Sequence, residues 1–237
     1  MSTIIFIIGF MVLFYGGVMY FMYAKKQKMK QMMKSTDFQA EFQRAETYKS
    51  NFLNGEYSNL KTQMAGKPID AFNFANLEYT SKSAIKDGMK DSLKSMATLG
   101  TVRYQTVQTP KYLILSNDEL HLLDTDTDGD ISNHLVFDSH RLLQSSFIEV
   151  TQEGIMKAFA KQKGDNVKAY KISLATEDKP IELILFSALI FTHVNTASNM
   201  LSIDTQKMVQ ENVIANDFLK KLGDKYPNLK VAVPILN

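Results

Sequence analysis

Asp124-Thr125-Asp126-Thr127-Asp128-Gly129-Asp130-Ile131 is the stretch of this chain whose residue types and spacing come nearest to a defined chemistry. Oxygen ligands at positions 1, 3 and 5, a glycine at 6 and an apolar residue at 8 open a calcium loop. The carboxylates of Asp124, Asp126, Asp128 and Asp130 repel one another unless a cation or water screens them. Position 12, however, is Leu135, where a calcium loop needs a bidentate glutamate. The flanks Leu120–Leu123 and Leu135–Phe137 read as strands, not helices. Asp and Gly are equally the residues of a polar hairpin tip. The expectation is a plain turn with no cofactor, and calcium is the alternative occupant.

Other chemistries find no pattern. His121, His134, His140 and His193 form neither HExxH nor a two-histidine–carboxylate spacing. His134 and His140 flank the aspartate loop and are placed to meet at adjacent strand ends. Gly66-Lys67 is no P-loop, because no second glycine is spaced correctly and no Ser or Thr follows the lysine. Nucleophile elbows, dinucleotide glycines and kinase signatures are absent. The chain has no Cys, which excludes disulfides, thiolate metal sites and a cysteine nucleophile.

The elements that must position these residues start from composition. The chain has 237 residues, 45% hydrophobic and 22% charged, which suits one or two globular domains with an appendage. Its net charge of +2 is too small to argue for nucleic acid. The charge is uneven. Residues 1–36 hold no acid and five lysines, Lys25, Lys26, Lys28, Lys30 and Lys34, so the remainder carries 22 basic against 25 acidic residues.

Ile4–Ala24 is 21 residues without a charge. At about 1.5 Å per residue it matches a hydrocarbon core of roughly 30 Å. Tyr20 and Tyr23 stand where an aromatic belt would lie. A cleaved secretory signal fits less well, since no basic residue precedes Ile4 and no small-x-small site precedes Lys25. The lysines on the C-terminal side place the following chain in the cytoplasm and offer contacts to anionic lipid headgroups. The expectation is a single-pass protein of the inner (cytoplasmic) membrane. Its N-terminus is short and outside, its span is residues 4–24, and its membrane-surface residues are those five lysines. Gly9, Gly16 and Gly17 offer a small-residue face for helix approach.

Residues 36–54 predict one helix, capped by Ser35 or Thr36, with Phe38, Phe42, Ala45, Tyr48 and Phe52 on one face and Gly55 as its stop. A second helix is predicted over Ser83–Leu99. Residues 69–79 remain unassigned. From Thr101 the period changes to two, and strands are predicted at 102–107, 112–115, 120–123, 131–137, 146–150, 154–160, 167–174 and 181–186. Asn117-Asp118 turns the chain between two of them. A final helix begins at Asp204, buries Met208, Ala215, Phe218, Leu219 and Leu222, and ends at Gly223. Residues 187–203 are open between strand and loop-plus-helix. Lys157, Lys161 and Lys163 form a basic group that reads as a solvated hairpin.

The segment Lys111-Tyr112-Leu113-Ile114-Leu115-Ser116-Asn117-Asp118-Glu119-Leu120-His121-Leu122-Leu123 resembles the strand–turn–strand opening of bacterial pleckstrin-homology-like (PH-like) and GRAM-like domains. The resemblance covers roughly residues 101–223. It implies a bent antiparallel barrel closed by a C-terminal helix, with no ligand residue carried over.

The expected fold is therefore α+β. A transmembrane anchor occupies 1–24, a basic juxtamembrane segment 25–35 and a helical segment 36–100. A PH-like antiparallel barrel or sandwich closed by the C-terminal helix occupies 101–237. The expected function is a membrane-anchored cytoplasmic adaptor, or an accessory subunit bound to a membrane-protein partner, acting without catalysis. The alternatives are a calcium- or ligand-responsive sensor through Asp124–Asp130, and a membrane-tethered enzyme whose site is assembled from residues distant in sequence.

Overall fold

Helix α1, Ser2–Ser35, is one unbroken helix of 34 residues. It runs from the apolar stretch straight through the lysines, and its C-terminal end docks on the domain, where Met29 is buried. The computed structural model describes residues 2–77, 109, 111–126, 130–152, 157, 160–161, 163–164, 166–191 and 204–236. Among them no helix is long and apolar enough to cross a membrane. This corrects the expected span at residues 4–24, and with it the single-pass transmembrane character and the inner-membrane placement. The physical reason lies in the helix itself. From Lys25 onward the helix turns basic, and its C-terminal end packs on the domain through Met29.

The predicted helix over 36–54 forms as two pieces. Helix α2, Phe38–Phe42, is capped by Asp37, whose carboxylate accepts the N–H groups of Gln39 and Ala40. Helix α3, Ala45–Asn54, restarts after Gln43 and Arg44. The break lets Ala45, Phe52 and Leu53 reach the core, while α2 packs at the root of α1. Helix α4, Ser58–Gln63, follows and buries Leu60.

Strands β1 (Ala71–Ala75), β2 (Lys111–Ser116), β3 (Glu119–Thr125) and β4 (Ile131–Phe137) make an antiparallel meander in that order. Asn117 takes a left-handed φ of 49° at the β2–β3 turn, a conformation asparagine tolerates well. Helix α5, Ser139–Leu143, is capped by Asp138. Strands β5 (Ser146–Val150), β6 (Ala169–Leu174) and β7 (Ile181–Phe186) make a second antiparallel sheet. Helix α6, Thr205–Lys225, starts at Asp204, which accepts from Gln206 N and Lys207 N. Short 3-10 turns at Pro227–Leu229 and Pro234–Leu236 end the chain's described part.

The fold is thus mixed helix and sheet with two antiparallel sheets, and it is not a closed barrel. Two features account for the correction. The capped turn of α5 diverts the chain between β4 and β5, where closure would need a ladder. The β1–β7 side is joined by one bridge, in which Asn76 N donates to Ile184 O (2.9 Å) and Ile184 N to Asn76 O (2.7 Å).

Strands β1 to β3 of the first sheet are covered on both faces, while β4 at its edge is largely exposed. Leu113 and Leu115 of β2 point into a core with Leu120, Tyr170, Leu183 and Phe218. Tyr112 and Ile114 point to the other side, onto Phe52, Tyr57, Leu60 and Phe72. A strand buried on both sides reads as a continuous apolar run, as Tyr112–Leu115 does. Each large side chain removed from water there contributes about 1.5–3 kcal/mol. A third cluster joins Val167, Ala169, Phe186, Ala188 and Ile190.

The expected strand at 154–160 is also corrected, since Lys157, Ala160, Lys161 and Lys163 are helical. The predicted helix at 83–99 and strand at 102–107 lie outside the described residues. So does 192–203, while 187–190 are buried.

Candidate functional site

The aspartate hairpin is held by its own hydrogen bonds. Asp124 Oδ1 lies 2.6 Å from Lys111 Nζ across the β2–β3 pair. Asp126 Oδ1 accepts the N–H of Asp130 at 3.0 Å, and Asp126 N donates to Asp130 O at 2.8 Å. Asp128 lies outside the described residues. Among those described, no three His, Asp or Glu side chains are placed to hold a metal. Asp126→Ala removes the acceptor that closes the turn and is expected to cost about 0.5–1.5 kcal/mol. Asp126→Asn keeps an oxygen and is expected to be near neutral. Urea midpoints of the two variants check this, and equal midpoints would contradict it.

The histidines meet differently from the sequence expectation. His121 lies opposite Val136 and Leu123 opposite His134, so His121 and His134 are diagonal neighbours on one face. His121 Nδ1 and His134 Nε2 stand 2.7 Å apart, and one proton is shared between them. His121 is fully buried. Its Nε2 lies 3.3 Å from Glu119 Oε2 but out of line for a hydrogen bond. Lys67 in turn bonds Glu119 at 2.7 Å. His140 instead contacts Gln144.

Burial, and then the neighbouring imidazole, hold His121 below the usual histidine range; burial, and then Lys67, do so for His134. Both shifts favour the neutral imidazoles in the fold. The unfolded chain takes up protons first, so the stability the pair contributes is complete above about pH 6.5 and is lost as pH falls through the lower folded values. Buried Glu211 and Asp217, whose carboxyls desolvation lifts above the usual range, act in the opposite sense. The readout is therefore a difference. His134→Gln should lose less stability between pH 7 and pH 5 than the unaltered chain does, by urea unfolding at both values. A parallel loss would contradict the pairing.

A cavity of about 360 Å³ opens where α1 meets the domain. Four parts of the chain build it: the end of α1 with the start of α2, the segment 161–167, Ser187 with Asn212 of α6, and Pro234-Ile235. Of the predicted lysines, Lys30 and Lys34 line it and Lys161 joins them. Lys25 is half-buried and Lys28 exposed on the same helix, and neither lines the cavity. Of Lys26 only the backbone is described.

The α6 wall is polar, and its buried amide N–H groups are answered, while Asn216 Oδ1 has no partner among the described residues. Asn216 Nδ2 donates to Ser187 O and Asn212 O, each at 2.7 Å. Asn212 Nδ2 donates to Met208 O at 2.9 Å. Ser187 Oγ accepts the N–H of Lys168 at 2.9 Å. Beside them the buried Glu211 carboxylate pairs with Lys163. Ser187 and Asn212 escaped sequence reading because they come from separate segments, and Lys161 read only as part of a solvated basic group. The one local hint was the basic run at 157–163.

No family model matches the chain, and no curated protein matches it.

Proposed function

We propose that this protein is a binding module, an accessory subunit of a larger assembly, that acts by holding partners and not by catalysis. One observation carries the reading. Phe10, Leu13, Phe14, Tyr15, Met19, Tyr20, Phe21 and Tyr23 of α1 are each 60% exposed or more. At 100° per residue they point to every side of the helix. An apolar surface of that extent marks a contact surface. Because it surrounds the helix, the partner must enclose α1 with apolar side chains instead of touching one face.

The other end of α1 fits this role. Met29 is buried and the cavity-lining lysines flank it, so the helix is fixed to the domain and not merely tethered. The resemblance of Lys111–Leu123 to PH-like domains also supports a binding scaffold, as does the order of four strands, three strands and a helix. The experiment is hydrodynamic. The purified full chain, alone in detergent-free buffer, is expected to self-associate through α1. Combined Leu13→Ser, Phe14→Ser, Tyr20→Ser and Phe21→Ser should leave it monomeric with unchanged circular dichroism. A full chain that is monomeric without those changes would contradict the reading.

A further inference from the structure

We infer that Met33, at the root of α1, is an oxidation-sensitive modification site. Transfer of one oxygen atom from a peroxide to its sulfur loosens α1 from the domain, and reduction of the sulfoxide restores the joint. The joint lies beyond the exposed stretch from Phe10 to Tyr23, so its behaviour does not depend on what encloses that end. Three observations single out this sulfur.

The first is access. The chain has no Cys, so methionine carries all of its sulfur. Met64 and Met208 are buried in the core, out of reach of a small oxidant. Met19 and Met32 are exposed and take up oxygen too, but neither lines the cavity between α1 and the domain. Met33 is half-buried and does line it. Among the described methionines it alone combines partial exposure with a place in that joint.

The second is contact. Gly164 has a φ of 144°, a conformation that favours glycine. A Cβ there would stand 3.5 Å from Met33 Cε and 3.7 Å from Val167 Cγ2. The Met33 methyl group thus lies over bare backbone, beside an apolar side chain. Met29, four residues earlier, shares its helix face, is buried, and lines the same cavity. The two thioethers form an apolar foot on which α1 stands.

The third is chemistry. Hydrogen peroxide gives the sulfur one oxygen atom. An S–O bond forms, the O–O bond breaks, the sulfur loses two electrons and the peroxide leaves as water. The flexible apolar side chain becomes polar. Against Val167 and Met29 the new oxygen meets carbon, and it is satisfied by turning to water, which lifts the foot out of the joint. A dithiol reductant removes the oxygen as water and leaves as a disulfide.

The test exposes the full chain to hydrogen peroxide. Peptide masses follow oxygen uptake at each methionine, and hydrogen exchange follows the amides of residues 29–34. Met33 sulfoxide is expected to form while Met64 and Met208 stay reduced, with exchange at those amides rising at least tenfold. Methionine sulfoxide reductase with a dithiol should return exchange to its starting rate. Met33→Leu, of similar volume and without sulfur, should keep the joint and abolish the response. Met32→Leu should respond in full. The proposal is overturned if Met33 stays reduced until the domain unfolds, or if its oxidation leaves exchange unchanged. It is also overturned if Met33→Leu responds as the unaltered chain does, or if Met32→Leu does not respond.

Discussion

Phe218→Ala is expected to lower the unfolding free energy by about 3–5 kcal/mol. Phe218 is fully buried on α6, in the core that also holds Leu113 and Leu115 of the first sheet and Leu183 and Leu185 of the second. The two sheets share little hydrogen bonding. The described links are the Asn76–Ile184 bridge and the bond from Asn73 Nδ2 to Phe186 O, so the apolar core shared with α6 supplies much of what joins them. Removing the ring loses its transfer energy and leaves a cavity bounded by two sheets and a helix, three elements that cannot easily close around it. Domains of this kind hold only about 5–15 kcal/mol in total. The variant should therefore unfold at a much lower urea concentration, in one transition. A loss below about 1 kcal/mol would mean that α6 does not hold the sheets together.

Lys163→Met is expected to cost about 2–4 kcal/mol at pH 7, because it strands a buried charge. Glu211 is 5% exposed and Lys163 pairs with it. Burial lifts the Glu211 carboxyl above its usual range, and Lys163 is the first group pulling it back. Without the lysine the folded value rises further. The unfolded carboxyl ionises first as pH rises, so stability falls from about pH 4.5 upward and levels off above the folded value. The variant should thus approach the unaltered chain at pH 4 and separate from it at pH 7. Glu211→Gln in the same background should recover most of the loss. A deficit independent of pH would assign it to lost packing by the lysine stem.

These two expectations rest on parts of the fold that differ in how far sequence discloses them. Helix α6 was legible because its signals are local. Asp204 supplies a cap, and Met208, Ala215, Phe218, Leu219 and Leu222 keep a helical period. Strands β4, β5 and β7 stand where their alternation put them. Strand β1 was not legible, since Asn73 interrupts Ala71–Ala75. That asparagine is buried, and its Nδ2 donates to Phe186 O at 3.1 Å, a partner 113 residues away.

Closure was misread for a related reason. Strand count is local, but whether β4 meets β5 depends on the turn at Asp138–Leu143 and on long-range packing. The first helix was misread because apolar length and flanking lysines say nothing of what α1 docks against. The cavity as a whole was hidden, although three of its lysines were legible, because its lining comes from residues between 29 and 39, between 161 and 167, and from 187, 212, 234 and 235. The His121–His134 contact needed the β3–β4 register, which no spacing in the sequence gives.

The central claim is that α1 is enclosed by a partner in the working assembly. Its most direct measurement is the sedimentation of the protein in gently prepared native extracts, unaltered and with Leu13, Phe14, Tyr20 and Phe21 changed to serine. The unaltered chain should travel with a species several times larger than itself, at a fixed ratio to a second component. The serine variant should travel alone as a folded monomer. If both travel alone, or both stay in the larger species, α1 is not the contact surface and the binding-module account fails.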